Sequence, residues 1–191
     1  MYVLNVEKRN EMIKAKKLKK AGMVPGSVYG GDLKETLLIQ IPEGEARKLL
    51  KSKLKGGNLT LECDGKRFNV LLKEIDCNPV NSQIDNLSFQ NLIEDEKVVS
   101  VAHILVKNKN KMPVMVQKLM KEIPYRALPS NLIEKIEIDL EKIRAGAQLK
   151  VKDLPIYQNP NIEILLEPDM LVLNVVENSR RKQQVHIEEA V

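Results

Sequence analysis

The residue types that most often do chemistry in proteins are few in this chain and stand far apart. The histidines are His103, inside an apolar run, and His186, close to the C-terminal end, and the cysteines Cys63 and Cys77 form no Cys-x-x-Cys pair. A catalytic triad or a metal knuckle needs such groups to converge. We therefore expect no catalytic residue, no bound metal and no cofactor.

Two other catalytic patterns are missing as well. The glycine-rich run Gly26 to Gly31 is not followed by the Lys-Ser/Thr pair of a phosphate-binding loop. Acidic residues are spread along the chain, and nothing marks a pair for acid and base work. A hydrolytic enzyme is therefore the least favoured of the functions considered.

The strongest chemical signal is a basic segment near the N-terminus. Between Lys8 and Lys20, seven Lys and Arg residues stand against the single acid Glu11. A field of this strength needs an anionic partner. A solvated amphipathic helix without a partner is the plainer alternative.

The elements around this segment would position its charges. A helix could keep Ile13, Leu18 and Ala21 on an inner face and turn the lysines outward, with Gly22 ending it. A short apolar strand through Tyr29 follows. RNA is favoured over DNA because no helix-turn-helix or zinc finger is present, and a sheet with a helix suits the shallow minor groove of RNA.

In this interpretation cations hold phosphates, and neighbouring polar groups contact base edges or sugar hydroxyls. Asn78 is a further polar residue that could contact RNA. The candidate RNA-binding residues are Arg9, Lys14, Lys16, Lys17, Lys19, Lys20, Tyr29, Lys73, Asn86 and Ser88.

Composition bounds the fold and the partners. Of the 191 residues 43% are hydrophobic but only 3% aromatic, which predicts an aliphatic core and disfavours a reader of single-stranded RNA that stacks bases on aromatic rings. Residues 1–92 hold 16 Lys and Arg against 11 Asp and Glu, whereas the rest holds 15 of each. This asymmetry predicts two domains, 1–92 and 93–177. The segment 178–191 shows no sustained periodicity, and we expect it to be a mobile tail.

Cysteine usage and hydropathy indicate the compartment. Two unpaired thiols are typical of a reduced cytoplasmic protein, and no N-terminal apolar run reaches the length of a signal peptide or membrane helix. We expect no membrane association.

Strand signals make the protein mainly β with a few helices. Two β-prone runs flank Asp64-Gly65, a strong hairpin signal. With the neighbouring runs, this predicts a six-stranded barrel with two helices in the first domain. Short strands, among them Leu149 to Leu154, predict a sandwich or barrel in the second, with an exposed loop at Lys107 to Lys111.

Beyond these signals, the sequence resembles one known family. Three segments are similar to bacterial large-subunit ribosomal protein 25. The first is the motif Gly22-Met-Val-Pro-Gly-Ser-Val-Tyr-Gly30, which follows a strand and a basic helix. The other two are the run Lys73-Glu-Ile-Asp-Cys-Asn-Pro79 and the segment Asn86-Leu-Ser-Phe89. A second β domain beginning at Glu96-Lys-Val resembles the long two-domain form, the general stress protein CTC family.

The resemblance implies a structural constituent of the large ribosomal subunit whose N-terminal six-stranded barrel binds the loop E region of 5S ribosomal RNA. It also implies a C-terminal β domain that could contact ribosomal-protein neighbours. Where the family has His-x-Asp-Phe, this chain has Asn86-Leu-Ser-Phe89, which removes a carboxylate acceptor. The alternative is a diverged stress-related paralogue that binds proteins off the ribosome and has weakened affinity for 5S RNA.

Overall fold

The computed structural model describes residues 2–109 and 114–177, in which strands predominate. The α-helices in those ranges are α1 (Ala15–Lys20) and α2 (Glu43–Ser52). The strands are β1 (Val3–Lys8), β2 (Met23–Tyr29), β3 (Leu37–Pro42), β4 (Asn58–Cys63), β5 (Lys66–Cys77), β6 (Ile84–Asn91), β7 (Val98–Lys107), β8 (Val114–Lys118), β9 (Glu122–Ala127), β10 (Lys135–Asp139), β11 (Gln148–Lys150), β12 (Ile162–Ile164) and β13 (Leu171–Glu177). Single 3-10 turns lie at Pro129–Asn131, Leu140–Lys142, Val151–Asp153 and Pro155–Gln158.

The chain folds into two compact units. The first contains the chain up to Ser100 together with Ala127–Glu134, and the second contains Val101–Arg126 and the chain from Lys135 onward. The first unit thus continues beyond residue 92 and takes in eight residues from a later part of the sequence. None of the helices in the described parts is long and apolar enough to cross a membrane.

The first unit is a closed six-stranded barrel, as the strand pattern predicts. Around the barrel the strand order is β1-β3-β2-β6-β5-β4. Pairs β1–β4 and β2–β6 are parallel and the others antiparallel. The core is aliphatic apart from Phe89 and Cys63 and includes Leu4, Val28, Ile39, Leu61, Val70 and Leu87.

Two local features build this barrel from the sequence. Asp64 and Gly65 both have positive φ angles, 49° and 75°, as the tight turn between β4 and β5 requires. At Gly26, a Cβ atom would lie 2.9 Å from the carbonyl oxygen of Leu87, so close pairing of β2 with β6 needs a glycine there.

Helix α1 is shorter than the sequence pattern indicates. The chain turns at Asn10, whose side-chain oxygen accepts a hydrogen bond from the Met12 amide at 2.9 Å, and becomes helical only at Ala15. Leu18 is buried as expected, but Ile13 is only half-buried and Ala21 is exposed. Because the helix has only six residues, its buried face holds one large side chain.

The second unit contains two sheets, with strand orders β10-β7-β9-β12 and β11-β13-β8. The strand predicted at Leu149 to Leu154 is wrong beyond Lys150. There the Asp153 carboxylate accepts a hydrogen bond from the Lys150 amide at 2.9 Å and stabilises a 3-10 turn. The predicted loop at Lys107 to Lys111 lies partly outside the described residues, and the predicted tail, 178–191, lies wholly outside them.

Candidate nucleic-acid interface

Helix α1 presents most of its lysines to solvent. Lys14, Lys16, Lys17 and Lys20 are exposed, and their ammonium groups make no hydrogen bond or ion pair with any residue that the structure describes. The helix packs against β2 through its one buried side chain, Leu18, which is 4% exposed. Unpaired cations on one short element create a local positive potential that an anion can neutralise.

Beside this helix, the outer faces of β2 and β6 form a polar strip, which we define as Ser27, Tyr29, Asn86, Ser88 and Gln90. The strands pair in parallel, and the pairs Ser27 with Ser88 and Tyr29 with Gln90 lie side by side. Leu87 and Phe89, between the strip residues of β6, point into the barrel and are fully buried, and Ser88 of the strip is itself only 7% exposed. From Asn86 to Gln90 the strip extends for about 13 Å along β6.

The chemistry of the strip is that of neutral donors and acceptors. The Asn86 side-chain amide donates to the Ser88 hydroxyl at 3.2 Å, which orients both groups. Burial, and secondly the carboxylate of Glu74, raises the pKa of Tyr29, so this phenol keeps its proton at neutral pH. The strip can therefore donate to and accept from base edges and sugar hydroxyls.

Three of the cations named from the sequence are bonded within the protein. The ammonium group of Lys19 forms an ion pair with Asp85, and that of Lys73 donates to the Val99 carbonyl at 2.7 Å. Arg9 donates from Nη2 to the Ile13 carbonyl at 2.8 Å. Lys19, Lys73 and Arg9 therefore do not belong to the group of exposed, unbonded cations at Lys14, Lys16, Lys17 and Lys20.

Two of these bonded cations, Lys73 and Arg9, are also affected by burial. Burial, and secondly the charge of Lys55, lowers the pKa of Lys73. The Nε atom of Arg9 is buried and has no hydrogen-bond partner among the described residues. The other two nitrogens of that guanidinium carry its remaining donors.

Sequence reasoning missed Ser27 and Gln90 of the strip and the role of Asp85. The alternation of β2 and β6 could have placed Ser27 beside Tyr29 and Gln90 beside Ser88. The ion pair of Lys19 could not be predicted from neighbouring residues, because its partner Asp85 lies 66 positions further along the chain. Asn78, named as a further polar candidate, lies just beyond β5 and accepts from the Val80 amide at 2.9 Å.

In the described part of the chain, the His and Cys residues do not assemble a catalytic or metal site. His103 lies in β7, where its Nδ1 atom is 3.7 Å from a Glu122 carboxylate oxygen, and His186 lies outside the described residues. Burial raises the pKa of the Cys63 thiol, which disfavours a reactive thiolate. Within residues 2–109 and 114–177, no group of three or more His, Cys, Asp or Glu side chains could hold a metal ion.

Comparison with known proteins identifies the family. A model of the ribosomal L25p family matches residues 4–89, and a model of the C-terminal domain of ribosomal protein TL5 matches residues 95–179. Large ribosomal subunit protein bL25 of Chlorobium chlorochromatii is 30% identical over 182 residues, which are 91% of this chain and 91% of that protein. The chain belongs to the bL25 family.

Other relatives agree with this assignment. The bL25 protein of Nitrosomonas europaea is 28% identical over 163 residues, 82% of each chain. That of Finegoldia magna is 22% identical over 193 residues, 98% of this chain and 91% of the relative. Matches to both domain models across most of the chain confirm the long two-domain form.

Family membership decides two of the expectations from the sequence. The bL25 proteins are structural proteins of the large ribosomal subunit, so the expectation of a protein without catalytic activity is confirmed. These relatives also favour the ribosomal interpretation over a protein-binding module that works off the ribosome.

Proposed function

We propose that this protein binds the loop E region of 5S ribosomal RNA, as a cytoplasmic component of the large ribosomal subunit. The observation that carries the proposal is the set of four exposed lysines on and just before α1, which have no partner among the described residues and lie next to the polar strip on β2 and β6. The names of the relatives, large ribosomal subunit protein bL25, support the ribosomal context.

The two parts of this surface suit different parts of an RNA. The lysines would neutralise phosphates, which supplies affinity and salt dependence but no sequence information. Tyr29, Asn86 and Ser88 would meet base edges or 2′-hydroxyls in the shallow minor groove. A phenol, an amide and a hydroxyl provide both donors and acceptors for such contacts.

The remaining candidates take indirect roles in the proposal. Arg9, Lys19 and Lys73 each bond to another part of the first unit, so they would shape the RNA-binding surface and add to its potential. In the proposed division of labour, residues 1–92 bind RNA and residues 93–177 contact neighbouring ribosomal proteins.

A salt-dependent titration tests the proposal. The full-length protein is titrated against 5S RNA and against a 5S RNA whose loop E is replaced by regular duplex, at several salt concentrations. Four phosphate contacts predict a slope of log affinity against log salt of about −2.8 to −3.6. Tighter binding to the natural RNA would support recognition of loop E.

Equal affinity for both RNAs, or a slope near zero, would refute this function. Sedimentation of cell extracts adds an independent criterion. We expect the protein to travel with the large subunit, whereas an off-ribosome module would stay in the soluble fraction.

A further inference from the structure

Helix α1 has few stabilising interactions of its own. It has six residues, its N-cap residue Lys14 makes no side-chain capping hydrogen bond, and its first turn contains no acidic residue. Isolated helices shorter than about 12 residues are marginal in water. The helix therefore depends on contacts with the barrel for its position.

Leu18 and Lys19 supply two such contacts. Leu18 is buried against the barrel and holds the helix close to β2. A single side-chain contact does not by itself fix the rotation of a helix about its axis. The adjacent residue, Lys19, is paired with Asp85 of β6, and the two side chains are 25% and 37% exposed. Adjacent residues on a helix point about 100° apart, so the second contact fixes the rotation that the first leaves open.

Asp85 reaches the helix from an irregular point in β6. Asn86 pairs with Asp76 and Ile84 pairs with Cys77, so Asp85 is an extra residue between two regular pairs. Such a β-bulge turns a side chain away from the direction that regular alternation would give it. Here the bulge directs a carboxylate toward the ammonium group of Lys19.

We infer that Asp85 is a positioning residue for RNA binding, which holds α1 in the rotation that turns Lys16, Lys17 and Lys20 outward. The inference rests on the proposed RNA-binding function and deepens it. It also predicts that neutralising Asp85 changes the RNA affinity in the direction opposite to that expected from charge alone. Removing a negative charge beside an RNA-binding surface should strengthen binding through electrostatics alone, whereas loss of the positioning contact weakens it.

The test uses the full-length variant Asp85→Asn and two measurements. Hydrogen exchange in the absence of RNA measures how often α1 opens. The probe is the Ala21 amide, which donates to the Leu18 carbonyl at 2.9 Å. Titration with 5S RNA at two salt concentrations reports binding. We expect faster exchange at Ala21 and about three- to fivefold weaker binding, the size of a partly exposed ion pair, with a salt slope no steeper than that of the parent protein.

Asp76→Asn is the matched control. Asp76 lies in register with Asn86 on β5 and is exposed, and its carboxylate makes no ion pair with a described residue. This variant removes the same charge from a nearby position, so we expect binding as tight as that of the parent protein or tighter, with unchanged exchange at Ala21.

The pair-reversed variant Lys19→Asp/Asp85→Lys separates positioning from general stability. It restores an ion pair with the net charge unchanged, so we expect tighter RNA binding than with either single substitution. Tighter and more salt-dependent binding by Asp85→Asn would overturn the inference, because Asp85 would then compete with phosphates for Lys19. Equal weakening by Asp76→Asn would also overturn it.

The two proposals fail in different ways. If the parent protein binds 5S RNA without salt dependence or preference, the proposed function fails and RNA positioning fails with it. If the parent protein binds as expected and Asp85→Asn is unchanged in both measurements, only the positioning role fails.

Discussion

At the scale of single residues, the structure separates cations that face solvent from cations that are bonded within the protein. Lys16 and Lys17 have no partner among the described residues, whereas Lys19 pairs with Asp85 and Lys73 donates to a backbone carbonyl. A lysine bonded in this way has fewer free donors and less freedom of movement for binding a phosphate. Equal formal charge in the sequence therefore does not imply equal availability for RNA.

Tyr29 yields a prediction about ionisation. Its pKa is raised by burial and secondly by the charge of Glu74. Glu74→Gln should lower the pKa of Tyr29 but leave it above the ordinary value, because burial remains. The pKa of Tyr29 is measured from tyrosinate absorbance during an alkaline titration. The contribution of Tyr29 is identified by subtracting the titration of the Tyr29→Phe variant.

The same shift determines the sign of a pH effect on stability. A tyrosine whose pKa is raised in the folded state binds its proton more tightly there than in the unfolded chain. The free energy of unfolding should therefore fall as pH rises above about 10, the ordinary tyrosine pKa, and the fall should be smaller in Glu74→Gln. No change in the Tyr29 titration on substituting Glu74 would contradict the assigned electrostatic cause.

At the scale of elements, helices α1 and α2 of the first unit both carry cations but differ in charge balance. On α2, Lys48 pairs with Glu45 at 2.8 Å and Arg47 pairs with Glu43 at 2.6 Å. Helix α1 contains no acid, and Lys19 pairs outside it with Asp85. Paired charges on a helix surface largely cancel at a distance, so α1 is the element suited to attract RNA.

A pair of double substitutions tests this contrast. Lys16→Ala/Lys17→Ala should make the salt slope of 5S RNA binding shallower by about 1.4 to 1.8, the value for two lost phosphate contacts. Lys48→Ala/Lys51→Ala on α2 removes the same formal charge and should leave the slope close to that of the parent protein. The same slope change in both variants would show that total charge, and not α1, governs binding.

At the scale of the whole molecule, the first unit is completed by a segment that is distant in sequence. Glu134 accepts a hydrogen bond from the Leu54 amide at 2.8 Å and one from the Lys53 ammonium at 3.2 Å. Ser100 donates to the Gly56 carbonyl at 3.2 Å. The loop between α2 and β4 is therefore held by residues that a barrel ending at residue 92 would lack.

Glu134→Ala should destabilise this loop. The substitution leaves the Leu54 amide without its acceptor, so we expect faster hydrogen exchange there and a loss of about 1 to 2 kcal/mol in the opening free energy of the loop. Glu137→Ala is the control, since Glu137 pairs with Lys107 on an exposed surface and such pairs contribute little. Unchanged exchange at Leu54 in Glu134→Ala would mean that the carboxylate is not a stabilising contact.

The sequence by itself determined the class of fold and the family of this protein. Alternation of apolar residues and the Asp64-Gly65 turn depend on neighbours a few positions apart, and they predicted the strands of the barrel. The Val24-to-Gly30 part of the motif, with its basic segment, indicated the family, and the family matches confirm it. The extent of α1 was less predictable, because Asn10 forms a turn that competes with the helix.

Only the tertiary structure decided which charged groups are available. Lys19 and Asp85 are 66 positions apart, Lys73 and Val99 are 26 apart, and Leu54 and Glu134 are 80 apart. Periodicity carries no information about such partners, because they meet only after the barrel closes and the bulge in β6 redirects Asp85. The local sequence determines that a residue is charged, whereas the folded chain determines whether that charge is already paired.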